Sequence, residues 1–180
     1  TVLCREMPHL GRGLFVFSGD TVVHEDYWGM RHLQSGFSGY IFRKKLRHPH
    51  LPLYWMLISK GYKTYMLMRR NCPRSFPSFE AATPPELKRV MDGFYTEKFG
   101  AAYSASTSLI EWDTSHGAVK GNLAEPSEAD LTHPDIRFFV ERNPRYAEGV
   151  ELACIAEIRF RDYIGMLPKY FLRFRRGRST

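Results

Sequence analysis

Cysteine is scarce in this chain. Cys4, Cys72 and Cys154 are its three, widely separated and without a CxxC pair. That spacing offers neither a disulfide framework nor a zinc-binding set, and it points to a reducing compartment, read here as the cytoplasm. No apolar run approaches the roughly eighteen residues that a membrane-spanning helix requires. Internal repeats are absent, and low complexity is confined to the Ser-rich stretch 104–108. There is no initiator Met and no signal-peptide pattern, and Thr1-Val2-Leu3-Cys4 already reads as strand. The true N-terminus is therefore expected to lie upstream. Acidic residues are missing altogether between Asp26 and Glu80.

What is present is a globular composition. The 180 residues are 43% hydrophobic, 25% charged and 14% aromatic, which excludes a disordered chain, a collagen-like one and a coiled coil. A domain of this size buries roughly 70% of the surface its unfolded chain exposes, enough for a core without staples. The net charge of +7 is uneven: residues 1–90 carry fourteen Lys and Arg against six Asp and Glu, whereas 91–180 carry twelve against thirteen. Ten cations, from Arg31 to Arg74, fall inside the acid-free stretch. Such clustering attracts phosphates, on a cofactor, a nucleic acid or a lipid surface, unless it is simply a solvated face.

Periodicity assigns the elements. Val2–Glu6 and Leu14-Phe15-Val16-Phe17 read as strands, the second continuing through Thr21-Val22-Val23 as one long kinked strand or turning back in a hairpin at Gly19-Asp20. Met30, Leu33, Phe37, Tyr40 and Ile41 have helical spacing, with Lys44-Lys45 near the end and Pro49 as a stop. Leu53–Ile58 has the length of a buried strand, and Tyr62, Tyr65, Met66 and Arg69 share one side of a helix ending near Asn71. Thr83-Pro84-Pro85-Glu86 predicts a capping box opening the helix of Leu87, Val90, Met91 and Phe94. Ser104–Ser108 reads as an exposed loop, and Thr132 with Pro134 as a second helix start. Val150 to Phe160 alternates apolar residues with Glu151, Glu157 and Arg159, a strand of period two.

The block from Leu14 to about Phe76 resembles the middle of the GNAT acyltransferase superfamily, and a group of bacterial proteins with a YWG triplet at the same turn. The likeness rests on Thr21-Val22-Val23-His24-Glu25-Asp26-Tyr27-Trp28-Gly29, on the basic helix that follows, and on Leu53–Asn71 as the second strand–helix pair. It implies an α/β fold: a mixed, mainly antiparallel sheet flanked by helices, with a core over 1–79 and an α+β extension over 80–180. It also implies an acetyl-CoA or longer acyl-CoA ligand, held at Val22, Val23, Trp28, Gly29, Met30 and Arg31, and an amine or other small-molecule acceptor. Of the family's phosphate-binding frame Gly29 matches, while Asp26 and Arg31 depart from it. Within the resemblance, Tyr65 stands as candidate acid for the departing thiolate, Tyr62 as its substitute and Asp20 as candidate base. The plainer alternatives are core packing for Tyr65 and a turn for Asp20.

A second class of function is open. Tyr54, Trp55, Tyr62 and Tyr65 interleave with the cations of 27–79, as in modules that stack single-stranded bases. A third uses Tyr163–Arg178, aromatic and basic, on an anionic membrane surface. His48-Pro49-His50 has no neighbouring ligands to complete a metal set.

Overall fold

The computed structural model describes residues 2–19, 32–112 and 125–159. Strand β1 (Val2–Glu6) lies antiparallel to β2 (Leu14–Ser18), with Val2 opposite Ser18 and Glu6 opposite Leu14. Helix α1 (His32–Arg47) then leads to β3 (Leu53–Ser59), which runs parallel to β2 from Leu14↔Leu53 to Ser18↔Leu57. After β3 come α2 (Tyr62–Asn71), β4 (Ser75–Phe76) and α3 (Pro85–Phe99). The hairpin of β5 (Tyr103–Ser104) and β6 (Leu109–Ile110) follows, then α4 (Glu128–Leu131), α5 (Pro134–Arg142) and β7 (Glu151–Ile158).

These strands form one sheet in the order β1-β2-β3-β7-β6-β5. β7 is its central member. One edge pairs with β3 over seven residues, from Leu53↔Ile158 to Ser59↔Leu152. The other edge is shared, β6 pairing with Glu151 and Leu152 and β4 with Ile155 and Ala156. The fold is thus the expected α/β class, with a mixed, mainly antiparallel sheet, and the sheet runs across the boundary between 1–79 and 80–180.

Helices cover both faces of the sheet. Helices α1, α2 and α5 bury Val16, Trp55, Leu57, Leu152, Cys154 and Ala156 on one side. Helix α3 buries Phe15, Phe17, Met56, Ile58, Ala153 and Ile155 on the other. Leu87, Met91, Phe94 and Tyr95 give α3 its apolar stripe at spacings of four, three and one. This second cover changes the reading of β7. The alternation from Val150 onward predicts a half-exposed strand, yet both its faces are buried, because Ala153 and Ile155 meet α3 where a polar outward face was expected. Gly149, at φ +99°, makes the left-handed turn that delivers the chain into β7.

Two local expectations are corrected and a third is sharpened. The Ser-rich stretch is exposed at 105–107, as expected, and forms the turn of the β5–β6 hairpin, closed by Ser108 N–H donating to Ser104 O at 2.8 Å, with Ser108 itself buried. Strands of two residues have no period for a sequence to show. Helix α3 starts without a side-chain cap, since Pro84 occupies the N-cap and Thr83 falls one residue too early. At α5 the N-cap is His133, whose Nδ1 accepts from Asp135 N–H, while a capping box forms instead at Ser127 and Asp130.

The tie between α3 and the sheet centre is Tyr95. Its hydroxyl donates between Leu57 O at 2.9 Å and Cys154 O at 2.8 Å, carbonyls of two residues opposite each other in β3 and β7. Tyr95→Phe keeps the ring contacts and removes this donor. Chemical denaturation of the variant should show a loss of about 1 kcal/mol with unchanged secondary structure. Equal stability would show that the hydroxyl contributes nothing.

Candidate functional site

Parallel strands end together, so β2 and β3 bring Ser18-Gly19 and Ile58-Ser59 to the same end of the sheet. Both α1 and α2 begin there, on one face, because each follows one of the two strands. Carboxyl ends of parallel strands with helix N-termini above them are a common ligand position, the N-terminus being the positive end of the helix dipole.

On the α1/α2 face, Trp55 Nε1–H donates to Ser18 Oγ at 2.7 Å, and the Phe37 ring lies 4.9 Å from Trp55. Ser59 Oγ donates to Gly61 O at 2.8 Å, turning the chain into α2. Helix α2 has Gly61 as its N-cap and no side-chain cap. A Cβ built on Gly61 would meet nothing within 4 Å among the described residues. Tyr62 donates its hydroxyl to Asp130 Oδ2 at 3.2 Å, and Lys63 Nζ lies 5.8 Å from the Tyr62 ring centre. Burial and the Asp130 carboxylate both raise the Tyr62 phenol above its ordinary range.

On the α3 face of the same end, Lys60 Nζ stands 3.2 Å from Glu151 Oε1, with side chains 26% and 3% exposed. Lys98 Nζ sits 4.6 Å from the centre of the Phe17 ring. Gly19 is close-packed, since a Cβ there would come within 2.7 Å of the Phe17 ring. This end therefore carries Lys63 on the face of α2, which starts uncapped, and Lys60 and Lys98 on the face of α3.

Asp20, Val22, Val23, Trp28, Gly29, Met30 and Arg31 lie outside the described residues. Tyr65 is described and is 1% exposed, its hydroxyl donating to Pro77 O at 2.9 Å and its ring 5.5 Å from Phe139. Burial pushes its phenol far above the ordinary range, so the proton stays on oxygen and serves the backbone carbonyl. Arg69, one turn on, donates to Asp135, Ser75 and Glu80 and so joins α2 to α5 and the β4 segment. Of the four aromatics read as stacking residues, Trp55, Tyr62 and Tyr65 are buried and Tyr54 is partly exposed. The basic residues of α1 lie near its end, where the sequence places Lys44 and Lys45. Arg43, Lys44, Lys45 and Arg47 close the helix, and at 1.5 Å per residue Arg47 is about 22 Å from His32, at the opposite end from the strand termini.

Glu151 and Lys60 escaped the sequence reading. Glu151 reads in sequence as a solvent-side residue of an alternating strand, and Lys60 only as one cation of the acid-free stretch. The available signal is that Ala153 and Ile155, next along Glu151's face, are apolar. A carboxylate beside a buried apolar pair needs a cation. Among the described residues, no group of three or more His, Cys, Asp or Glu stands where it could hold a metal ion. No described helix is long and apolar enough to cross a membrane.

No protein-family model, no curated protein and no solved structure matches this chain.

The Lys60–Glu151 pair is tested by substitution. Lys60→Met removes the cation that stands 3.2 Å from the buried Glu151 carboxyl. Denaturation at neutral pH should show a deficit of about 2 kcal/mol, largely recovered in Lys60→Met/Glu151→Leu. No deficit, or one that the second substitution leaves unchanged, would contradict the pairing.

Proposed function

We propose that this chain binds a CoA-type anionic thioester at the carboxyl ends of β2 and β3 and transfers its acyl group to an amine or other small-molecule acceptor. The observation that carries this is the β2–β3 pair, the one parallel pair among the described strands, each strand followed by a helix on the same face. That is the arrangement the GNAT resemblance implies. The residues present suit the ligand. Lys63, exposed in the first turn of α2, lies beside a helix start without a side-chain cap, where backbone N–H groups and the dipole favour a phosphate or a thioester oxygen. When bound, the ligand would supply an activated acyl carbon, while the protein supplies position, exclusion of water and fixed positive charge.

Tyr65 is assigned to support rather than to proton transfer, since it holds the chain beyond β4 through Pro77. Ser18 holds Trp55, and Trp55 in turn supports Phe37 of α1, keeping the two strand–helix units in register at the ligand end. A cytoplasmic location belongs to the same proposal and accords with three free cysteines.

The test is thermal unfolding of the full chain with acetyl-CoA, a long-chain acyl-CoA or free CoA. A ligand at a hundredfold over its Kd adds about 2.7 kcal/mol, or roughly 5–10 °C for a domain of this size. Lys63 is exposed, so Lys63→Glu should fold normally and lose at least half of the shift. No shift with any CoA species would overturn the proposal.

A further inference from the structure

An acyl chain carried on a thioester at the ligand end has three directions in which to enter, and each is filled. Between the strands there is no gap, since β2 and β3 stay paired in register up to Ser18↔Leu57. Toward α1 and α2 stands Trp55, buried, tied to Ser18 Oγ and flanked by Phe37. Toward α3 stands Phe17, also buried, its ring 5.8 Å from Phe94 and 6.1 Å from Phe99.

The packing is closest at Gly19, the residue that follows β2. A Cβ there would fall 2.7 Å from Phe17 Cζ, 2.9 Å from Phe17 Cε1 and 3.3 Å from Ile58 Cδ1. The backbone at the strand end thus rests against the Phe17 ring, an approach that a residue without a Cβ permits. Apolar contact holds that ring, together with Lys98, whose Nζ lies 4.6 Å from its centre. Behind it are Ile58, Phe94, Tyr95 and the partly buried Phe99. Space vacated by Phe17 would therefore be lined by apolar groups of α3 and β3. Space vacated by Trp55 would instead leave Ser18 without its donor.

On the acyl-CoA reading of this end, we infer that Phe17 sets the acyl length: it closes the α3 side beside the thioester, so that acetyl and comparably short groups are accepted and a hexanoyl chain is left in water. A longer chain could enter the wild-type protein only by displacing a ring from a close-packed core, and such cores resist added volume. Each methylene removed from water tightens binding about fourfold, which sets the scale of the effect.

The experiment is isothermal titration calorimetry of the full chain with free CoA, acetyl-CoA and hexanoyl-CoA. Wild type should bind hexanoyl-CoA no more than about threefold more tightly than acetyl-CoA. Phe17→Ala should bind hexanoyl-CoA at least about tenfold more tightly than acetyl-CoA, as burial of about two of its four additional methylenes would give. Phe17→Val removes less volume and keeps a side chain suited to a strand, so it carries the test should the alanine variant not fold; it should move the preference the same way by at least about threefold. The control is Phe15→Val, on the same face of β2 but further from the strand end, which should keep the wild-type preference. Far-UV dichroism and melting of the variants check folding. A wild type that prefers hexanoyl-CoA by tenfold or more, a preference unchanged in both Phe17 variants, or an equal change in Phe15→Val would overturn the inference and leave the site standing. Absence of binding to all three ligands would overturn the site reading and this inference with it.

Discussion

The fold depends on β7 being held on both edges. The strand occurs late in the chain, yet it occupies the middle of the sheet, paired with β3 on one side and with β4 and β6 on the other. Until it is in place, β3 has an open edge, α3 has half a sheet to cover, and β4 and the β5–β6 hairpin have no longer strand to attach to. Pieces of two residues are stable only as attachments to something longer. The connection between first and second halves is consequently made of long-range contacts, which favours a cooperative and comparatively slow assembly.

Burying β7 on two faces has a chemical consequence. Its first residue is a glutamate, and a carboxylate inside a two-faced sheet must find a cation. Lys60, at the end of the adjacent strand, is that cation. The same logic operates at the other end, where burial would raise the Glu157 carboxyl but hydrogen bonds from Arg159 and Arg74 hold it below the ordinary range. Charge pairs thus mark both ends of the strand. The lysine-bearing one coincides with the carboxyl ends of the parallel pair, where α2 starts without a cap.

Much of this architecture was legible in the sequence where elements are long and periodic. α1, β3, α2, α3 and β7 lie close to where apolar spacing put them. What was not legible came from tertiary context. Two-residue strands leave no pattern, and a proline pair displaced the expected cap of α3. Most consequential was the second cover: the sequence shows that β7 alternates, but only the placement of α3 shows that neither face is solvated. For the ligand end, Lys60 and Glu151 are ninety-one positions apart, and nothing local in either segment announces the other. The basic helix was visible as composition, but its direction, with cations at the end away from the strand termini, needed the fold. Gly29 and its neighbours, which carried the resemblance, lie outside the described residues.

The ligand end, where β3 runs into the uncapped start of α2, is the central claim. Amide hydrogen exchange of the full chain with and without free CoA tests it most directly. Slowed exchange confined to the end of β3 and the first turn of α2, residues 57–65, with 43–50 unchanged, is the result expected. Slowing centred on 43–50, or no slowing in 57–65 at saturating CoA, would contradict it.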